Sequence, residues 1–200
     1  MADQTLHVLI IDDNRLRASI IEDGLSSGGH IRVTVLDETV DLMRRVVEID
    51  PDVIFIDLEN PNRDMLEHMF EVSRAVRRPI AMFVDQSDQA SIEKAIEAGV
   101  SAYIVDGLKK ERVRSIMDTA IHRFKAFQRL QRELEDAKSE LADRKTIERA
   151  KSLLMRTRNL SEPDAYALLR KTAMNQNRRI AEIAESLILA AGLLGEENDK

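Results

Sequence analysis

The sequence predicts an α/β protein in which a doubly wound, five-stranded parallel sheet precedes a long helix and a small all-α module of three helices. Two observations support this fold class. Short apolar runs rich in Val and Ile alternate with helical patterns as far as about residue 108, and the strand pattern then stops. No proline lies between Pro79 and Pro163 and no glycine between Gly107 and Gly192, so long helices can form in the second half.

Five apolar runs predict the strands, in chain order LHVLII, IRVTVL, DVIFI, IAMFV and AYIV. Most of them lack strict alternation of apolar and polar residues, as expected for strands that are buried on both faces. Helix signals lie between the runs: Asn14 and either Ser87 or Asp88 can cap helices, and Asp50-Pro51 can end one. Repeated strand–helix units predict right-handed crossovers and a parallel sheet.

After the fifth run, one helix is predicted from roughly Lys110 into the 140s. Apolar residues along it recur at spacings of 3, 4, 3 and 4, which is a heptad seam flanked by charged residues. This pattern predicts a short parallel coiled coil and therefore a homodimer, although an amphipathic helix that packs on its own domain would also fit. The predicted dimerisation residues are Phe127, Leu130, Leu134, Ala137 and Leu141.

Three shorter helices are predicted next, over Lys145–Arg156, Ser161–Met174 and Arg178–Ala191. Ser161 and Asp164 resemble a capping box at the start of the second of these helices. We therefore expect four segments: a first domain over residues 1–120, a coiled-coil linker over 121–142, a helical domain over 143–192 and a flexible tail over 193–200.

The charge is divided unevenly along the chain. Residues 1–108 carry 10 Lys and Arg against 21 Asp and Glu, whereas residues 109–200 carry 20 against 15. An acidic first half and a basic second half suggest two roles in one chain, although a charge run alone can also be a solvated surface. The chain has no cysteine, which excludes disulfides and thiolate chemistry. Because no apolar run is long enough to span a membrane and the amino end lacks a secretory signal, we expect a cytoplasmic protein.

Three carboxylates fall where predicted strands end. Asp12 and Asp13 follow the first strand, and Asp57 ends the third. In a doubly wound sheet of order 2-1-3-4-5, the carboxyl ends of strands 1 and 3 border the crevice that binds ligands. Carboxylates gathered there can bind a divalent cation, and one of them can accept a phosphoryl group.

Residues 6–120 resemble the receiver domain of response regulators, through the Asp12-Asp13 pair and the stretch DLENPNRD that begins at Asp57. The resemblance implies a flavodoxin-like fold, with Asp57 as the phosphoacceptor. It also implies a Mg²⁺ ion held by Asp12, Asp13, Asp57 and the carbonyl of Glu59.

Two residues that the resemblance leads us to expect are missing. Receivers usually have Thr or Ser at the end of the fourth strand and Lys-Pro after the fifth, whereas this sequence has Val84 and Asp106-Gly107. An anion in place of the lysine repels a phosphate. Ser87 or the lysines at 109 and 110 could act as substitutes. We predict a receiver-like domain controlled mainly by a partner protein, the alternatives being a weakly phosphorylated receiver and a scaffold whose acids are relics.

The basic end carries a distinctive pattern: an ERAK-x-LLM helix, a turn, an SExDAY-x₃-LRKxAM helix and a third helix with alanines at helical spacing. Over residues 130–190 this pattern resembles the ANTAR domain, a helical RNA-binding module of transcription antiterminators. Hairpin RNA offers phosphates to Lys and Arg and loop bases for stacking. The candidate RNA-binding residues are Arg144, Lys145, Arg149, Lys151, Arg156, Arg158, Tyr166, Arg170, Lys171, Arg178 and Arg179.

The whole chain is most similar to the NasT and AmiR group of antiterminators, and more to its NasT members. That similarity implies a regulator that is not an enzyme and that binds paired hairpins in the leader mRNA of nitrate and nitrite assimilation genes. It also implies a ligand-sensing, NasS-like partner protein that holds the regulator inactive. Tyr166 could stack on a loop base, but an aromatic residue beside Ala165 and Leu169 is more often part of the core.

Three other classes remain open on the sequence alone. The chain could be a phosphorylation-dependent two-component response regulator with a DNA-binding output, although its helices resemble no winged or major-groove arrangement. It could be a phosphoryl-transfer or hydrolytic enzyme that uses the three carboxylates, although its four histidines are scattered. It could also be a protein-interaction scaffold that acts through the coiled coil.

Overall fold

The computed structural model describes residues 5–26, 30–37, 41–58 and 63–193 of the chain. These residues belong to two compact units, which divide between Gln128 and Arg129. The first unit is α/β and the second is entirely helical. The fold class predicted from the sequence is therefore confirmed.

The first unit contains one five-stranded parallel sheet with the strand order β2-β1-β3-β4-β5. This is the order predicted for a doubly wound sheet, and all five predicted apolar runs form strands. The strands are β1 (Leu6–Ile11), β2 (Ile31–Leu36), β3 (Val53–Leu58), β4 (Ile80–Val84) and β5 (Ala102–Val105).

Four helices connect these strands, and the predicted capping residues are in place at two of them. The side chain of Asn14 accepts a hydrogen bond from the Leu16 amide at 3.0 Å, and that of Asp88 accepts one from the Ser91 amide at 2.7 Å. Each carboxylate or carboxamide satisfies an amide that has no partner within its own helix. The helices are α1 (Arg15–Ser26), α2 (Leu42–Ile49), α3 (Arg63–Ala75) and α4 (Gln89–Glu97).

Alternate residues of the strands supply two separate cores, one on each face of the sheet. On β3, Ile54 and Ile56 belong to the core with α2, α3 and α4, whereas Val53 and Phe55 belong to the core with α1 and the helix that follows β5. All four side chains are fully buried. Burial on both faces explains why the strand sequences read as continuous apolar runs.

The fifth helix, α5 (Lys110–Arg158), is continuous over 49 residues. The sequence predicted a long helix ending in the 140s and a separate helix from Lys145, so the expected interruption is absent. The physical reason is that the intervening segment, LADRK, contains good helix formers and neither glycine nor proline. The first helix of the predicted three-helix module is thus the carboxyl-terminal part of α5.

The second unit comprises the end of α5 with α6 (Glu162–Gln176) and α7 (Ile180–Leu193). Ser161 caps α6 by accepting a hydrogen bond from the Asp164 amide, as predicted. Asn159 and Asn177 take left-handed conformations, φ 51° and 50°, in the turns on either side of α6. The buried core consists of Ala150, Leu154, Ala165, Leu169, Ala173, Ile183 and Ala184. Within the described residues, no helix is long and apolar enough to cross a membrane.

Candidate functional site

The carboxyl ends of β1 and β3 bring two of the predicted acidic residues together. Asp12 directly follows β1, Asp57 is the penultimate residue of β3, and the two strands are paired up to Ile11 and Ile56. Both side chains are buried, with 3% of Asp12 and 1% of Asp57 exposed. Asp13 is exposed, and Glu59 lies outside the described residues.

An arginine from α1 occupies the centre of this pocket. Nε of Arg17 donates a hydrogen bond to Oδ2 of Asp57 at 2.8 Å, and Nη2 donates to Oδ1 at 2.6 Å. The third nitrogen, Nη1, donates to Oδ1 of Asp85 at 3.0 Å. Both oxygens of the expected phosphoacceptor are therefore engaged by one guanidinium group, in the two-point geometry that arginine and carboxylate groups favour.

Burial makes this ion pair stronger than a surface pair. The side chain of Asp57 is fully buried and that of Arg17 is 17% exposed, whereas Asp85 is 38% exposed. The hydrogen bonds to Asp57 are the main cause of a raised pKa for Arg17, so the guanidinium stays protonated. A buried carboxylate needs such a partner because desolvation without compensation is costly.

Asp12 has a different environment. Its Oδ1 accepts a hydrogen bond from the Asn14 amide at 2.8 Å, but its Oδ2 is buried without any hydrogen-bond partner among the described residues. Burial raises the pKa of Asp12 from its ordinary value of 3.8 to about 6, and repulsion from Asp57 adds to this effect. The pocket therefore contains one carboxylate that is paired and one that gains a proton easily.

Neither position at which receivers carry a residue that binds the phosphoryl group has a suitable side chain here. Val84, at the end of β4, is buried and has no donor, and Asp106 after β5 is exposed in a left-handed conformation. Two of the possible substitutes are engaged elsewhere. The hydroxyl of Ser87 lies 2.9 Å from that of Tyr103, and Nζ of Lys110 donates to Asp23 at 3.0 Å.

The side chains present do not form a Mg²⁺ site in this arrangement. Mg²⁺ requires several oxygen ligands in near-octahedral geometry. Both carboxylate oxygens of Asp57 instead accept hydrogen bonds from Arg17, which already supplies a positive charge to the pocket. Among the residues that the structure describes, no three acidic or histidine side chains converge as metal ligands.

Sequence reasoning missed Arg17 and Asp85. The segment NRLRAS contains two arginines two residues apart, and nothing in the sequence distinguishes them. In the structure, the side chain of Arg15 is 89% exposed and makes only a long contact of 3.6 Å with Asp37. Arg17 follows Arg15 by two residues, which turns its side chain by about 200° around α1, toward the strand ends.

The candidate RNA-binding cations of the second unit differ in availability. Arg178 and Arg179 are exposed but ion-paired with Glu182, and Arg149 is also exposed. Tyr166 is 43% exposed, so it is not a core residue. Six candidates are exposed and make no hydrogen bond or ion pair within the described residues: Arg144, Lys145, Arg156, Arg158, Arg170 and Lys171.

Lys151 departs from the sequence-based expectation. Its side chain is only 9% exposed, and Nζ donates to Glu148 at 2.8 Å and to Glu162 at 2.6 Å. These two carboxylates raise the pKa of the lysine. Because Glu162 is the first residue of α6, the ammonium group ties the start of α6 to α5 and is not presented to a ligand.

Two known families match the chain. The response regulator receiver domain family matches residues 8–118, and the ANTAR domain family matches residues 135–188. The chain belongs to the response regulators and carries an ANTAR domain. Both families are regulatory and not enzymatic.

Relatives of this ANTAR response regulator include two bacterial regulators. PdtaR, a transcriptional regulatory protein of Mycobacterium tuberculosis, is 26% identical over 185 residues, which are 92% of this chain and 90% of that protein. The nitrate regulatory protein of Klebsiella oxytoca is 42% identical over 66 residues, which are 33% of this chain but only 17% of that protein.

Solved structures support the fold of the first unit. The signal receiver domain of a modulated diguanylate cyclase from Desulfovibrio desulfuricans has a TM-score of 0.52 and 22% identity, and the match covers 62% of this response regulator and 98% of that chain. A CheY-like receiver domain protein from Methanospirillum hungatei has a TM-score of 0.52 and 14% identity, with 62% and 99% covered. At these identities the likeness shows the fold alone.

Proposed function

We propose that this ANTAR response regulator binds hairpin RNA through its helical unit and controls transcription antitermination. One observation carries the proposal: six cationic side chains without internal partners are exposed within the residues that the ANTAR family matches. Such cations neutralise RNA phosphates and release counterions, so the affinity should fall steeply as salt is added. The PdtaR and nitrate regulatory relatives support a role in gene regulation.

The heptad residues of α5 support a homodimer. Phe127, Leu130, Leu134 and Leu141 are between 54% and 59% exposed, and Ala137 is exposed as well. Large apolar side chains at heptad spacing on an exposed helix face are suited to packing against a second copy of that helix. A dimer presents two RNA-binding units, so binding of a second hairpin becomes intramolecular and strengthens the complex.

Control by a partner protein, and not by phosphorylation, is the mode of regulation that the pocket favours. Asp57 can attack a phosphodonor only if Arg17 releases one of the carboxylate oxygens, and neither Val84 nor Asp106 supplies a donor or cation that would stabilise the phosphorylated product. We propose a ligand-sensing, NasS-like protein as the partner and nitrate or nitrite assimilation genes as the targets. The match to a nitrate regulatory protein supports this choice.

The test compares three ligands of equal length at one salt concentration: a leader RNA with two hairpins, the same RNA with one hairpin, and duplex DNA. We expect the two-hairpin RNA to bind most tightly and DNA most weakly. Sequencing of the RNAs that co-purify from cells would then identify the leaders and their operons. Preference for duplex DNA would instead support a DNA-binding response regulator.

A charge-reversal pair sharpens this test. Arg156→Glu with Arg158→Glu removes two exposed cations of the ANTAR residues, whereas Arg123→Glu with Lys125→Glu makes the same charge change outside them. We expect the first pair to weaken binding to all hairpins and to flatten its salt dependence. The second pair should change binding much less. Equal effects would indicate attraction by net charge alone.

A further inference from the structure

The second unit contains an open groove of about 730 Å³ between α5, the end of α6 and the start of α7. Small-molecule sites typically have volumes of roughly 300–1,000 Å³, so the groove has room for a nucleotide. Aliphatic groups form its deeper part, where Ala173 and Ala181 are buried and Ile180 is half-buried. Met174, which is 71% exposed, lies at its rim.

Two arginines of the groove are held in fixed positions by one carboxylate. Arg178 donates from Nε to Glu182 at 3.3 Å and from Nη2 to the hydroxyl of Ser186 at 3.2 Å. Arg179 donates from Nε to Glu182 at 3.1 Å and from Nη1 to Asp143 at 3.2 Å. A guanidinium group restrained in this way offers a planar surface on which a base can stack with little further loss of entropy.

The third arginine of the groove is available to a ligand. Arg170 is exposed and makes no hydrogen bond or ion pair with any residue that the structure describes. Its neighbour Lys171 is equally exposed and unpaired but does not line the groove. A free cation beside two restrained ones is suited to one phosphate group of a polyanion.

The acidic residue among those that line the groove indicates what else the ligand must carry. The carboxylate of Asp143 lies in the groove among the arginines and would repel a phosphate placed directly on it. It would instead accept hydrogen bonds from the amino or imino groups of a nucleobase edge. Aliphatic contacts below, guanidinium planes beside and a carboxylate acceptor together fit a base better than a phosphate ion.

We propose that this groove binds one unpaired nucleotide of an RNA hairpin loop, with the base inside the groove and its phosphate on Arg170. The inference rests on the RNA-binding function proposed above and assigns the place where the loop is read. A base within a stem cannot enter, because its edge is paired and its faces are stacked. Unstacked loop bases, in contrast, are what proteins commonly read in RNA.

The experiment measures the affinity of the full-length dimer for a hairpin RNA and for versions that are abasic at each loop position in turn. We expect one position at which removal of the base weakens binding about tenfold, which is in the range known for base stacking on protein side chains. At the other loop positions the loss should be about twofold or less. 2-Aminopurine at the sensitive position should change its fluorescence on binding.

Two variants with the same charge change locate the base. Arg170→Gln removes the cation that binds the phosphate, so the base is no longer held in the groove. The loss of affinity caused by removal of the base, the abasic penalty, should therefore shrink to about twofold. In Lys171→Gln the affinity falls modestly, but the tenfold abasic penalty should remain. Neither side chain has an internal partner among the described residues, and circular dichroism spectra should confirm unchanged folding.

The outcomes separate this inference from the function on which it rests. If hairpins bind but no loop position is sensitive, or if the abasic penalty is equal in wild type and both variants, the groove is not the base site and RNA binding stands. If no hairpin binds even in dilute salt, the proposed function fails and the groove assignment fails with it.

Discussion

Arg17 and Asp57 form a buried two-point ion pair, with Nε to Oδ2 at 2.8 Å and Nη2 to Oδ1 at 2.6 Å. The arginine is the third residue of α1, and the carboxylate belongs to the end of β3. Receivers would use Asp57 as a nucleophile, but here its oxygens are hydrogen-bond acceptors of a permanent cation. Arg17 therefore compensates the charge of Asp57 from within the protein.

Loss of Arg17 should destabilise the first unit. Arg17→Ala leaves Asp57 buried without its cation, and removal of one partner of a buried ion pair typically costs about 3–5 kcal/mol. Arg15→Ala is the control, because that side chain is 89% exposed and should contribute less than about 0.5 kcal/mol. Urea unfolding at pH 7.5 measures both. Equal stability of the two variants would show that the ion pair contributes nothing.

Arg17 should also suppress binding of Mg²⁺. With the guanidinium removed, the oxygens of Asp57 become available beside those of Asp12 and Asp13, so Arg17→Ala should gain thermal stability from MgCl₂ at constant ionic strength. Wild type should show a smaller gain. Arg17→Ala combined with Asp57→Asn serves as the control and should respond no more than wild type. A strong response of wild type would mean that the ion displaces the arginine readily.

Asp57→Asn should leave hairpin binding and antitermination nearly unchanged. The substitution removes the only expected phosphoacceptor, but the cations that we assign to RNA lie in the other unit. Binding should stay within about twofold of wild type. A reporter fused to the leader, assayed with and without the partner protein, provides the measurement in cells. Loss of regulation, with RNA binding intact, would reinstate phosphorylation as the switch.

The stability of the first unit should depend on pH through Asp12. Its pKa is raised to about 6 in the folded state from 3.8, so this side chain favours folding when protonated and that contribution is lost as the pH rises through about 6. Asp12→Asn removes the charge permanently. It should therefore be more stable than wild type at pH 7.5, by up to about 3 kcal/mol.

The stability difference between Asp12→Asn and wild type should shrink as the pH falls from 7.5 toward 4.5. Comparison of the two proteins at each pH cancels the effects of the other carboxylates. Urea unfolding at three pH values is sufficient. A difference that stays constant with pH would show that Asp12 is not the group responsible.

Leu134→Lys should dissociate the dimer. The substitution places a charge in the heptad seam, where the leucine is 55% exposed in the single chain and would be covered by the second copy. Ser139→Lys adds the same charge at the outermost heptad position and should leave the dimer intact. Sedimentation measures the oligomeric state. Affinity for two hairpins should fall more than affinity for one; a monomeric wild type would falsify the dimer proposal.

The sequence predicted the fold well because its main signals are local. The apolar runs and the caps at Asn14, Asp88 and Ser161 each depend on residues only a few positions apart. The uninterrupted α5 was not predicted, because a change of pattern near residue 143 suggested a boundary that no glycine or proline enforces. The helix continues because the segment LADRK contains neither glycine nor proline, a local signal that the change of pattern obscured.

The pockets were predicted less completely because they depend on distant contacts. Asp12 and Asp57 were placed correctly by strand topology, but the partner of Asp57 comes from a helix 40 residues earlier. Lys151 illustrates the same limit. In the sequence it is one of many cations, and only the approach of Glu162 across the helix interface shows that its charge is neutralised.

The engagement of both Asp57 oxygens also has a kinetic consequence. An acyl phosphate on an aspartate decays spontaneously, and its lifetime can time a signalling response. Under the proposed control by a partner protein, Asp57 stays paired with Arg17 and forms no acyl phosphate, so no such lifetime limits the response. The duration of a response would then be set by the dissociation rate of the proposed partner, so changes at that interface would lengthen or shorten gene expression without any change in chemistry.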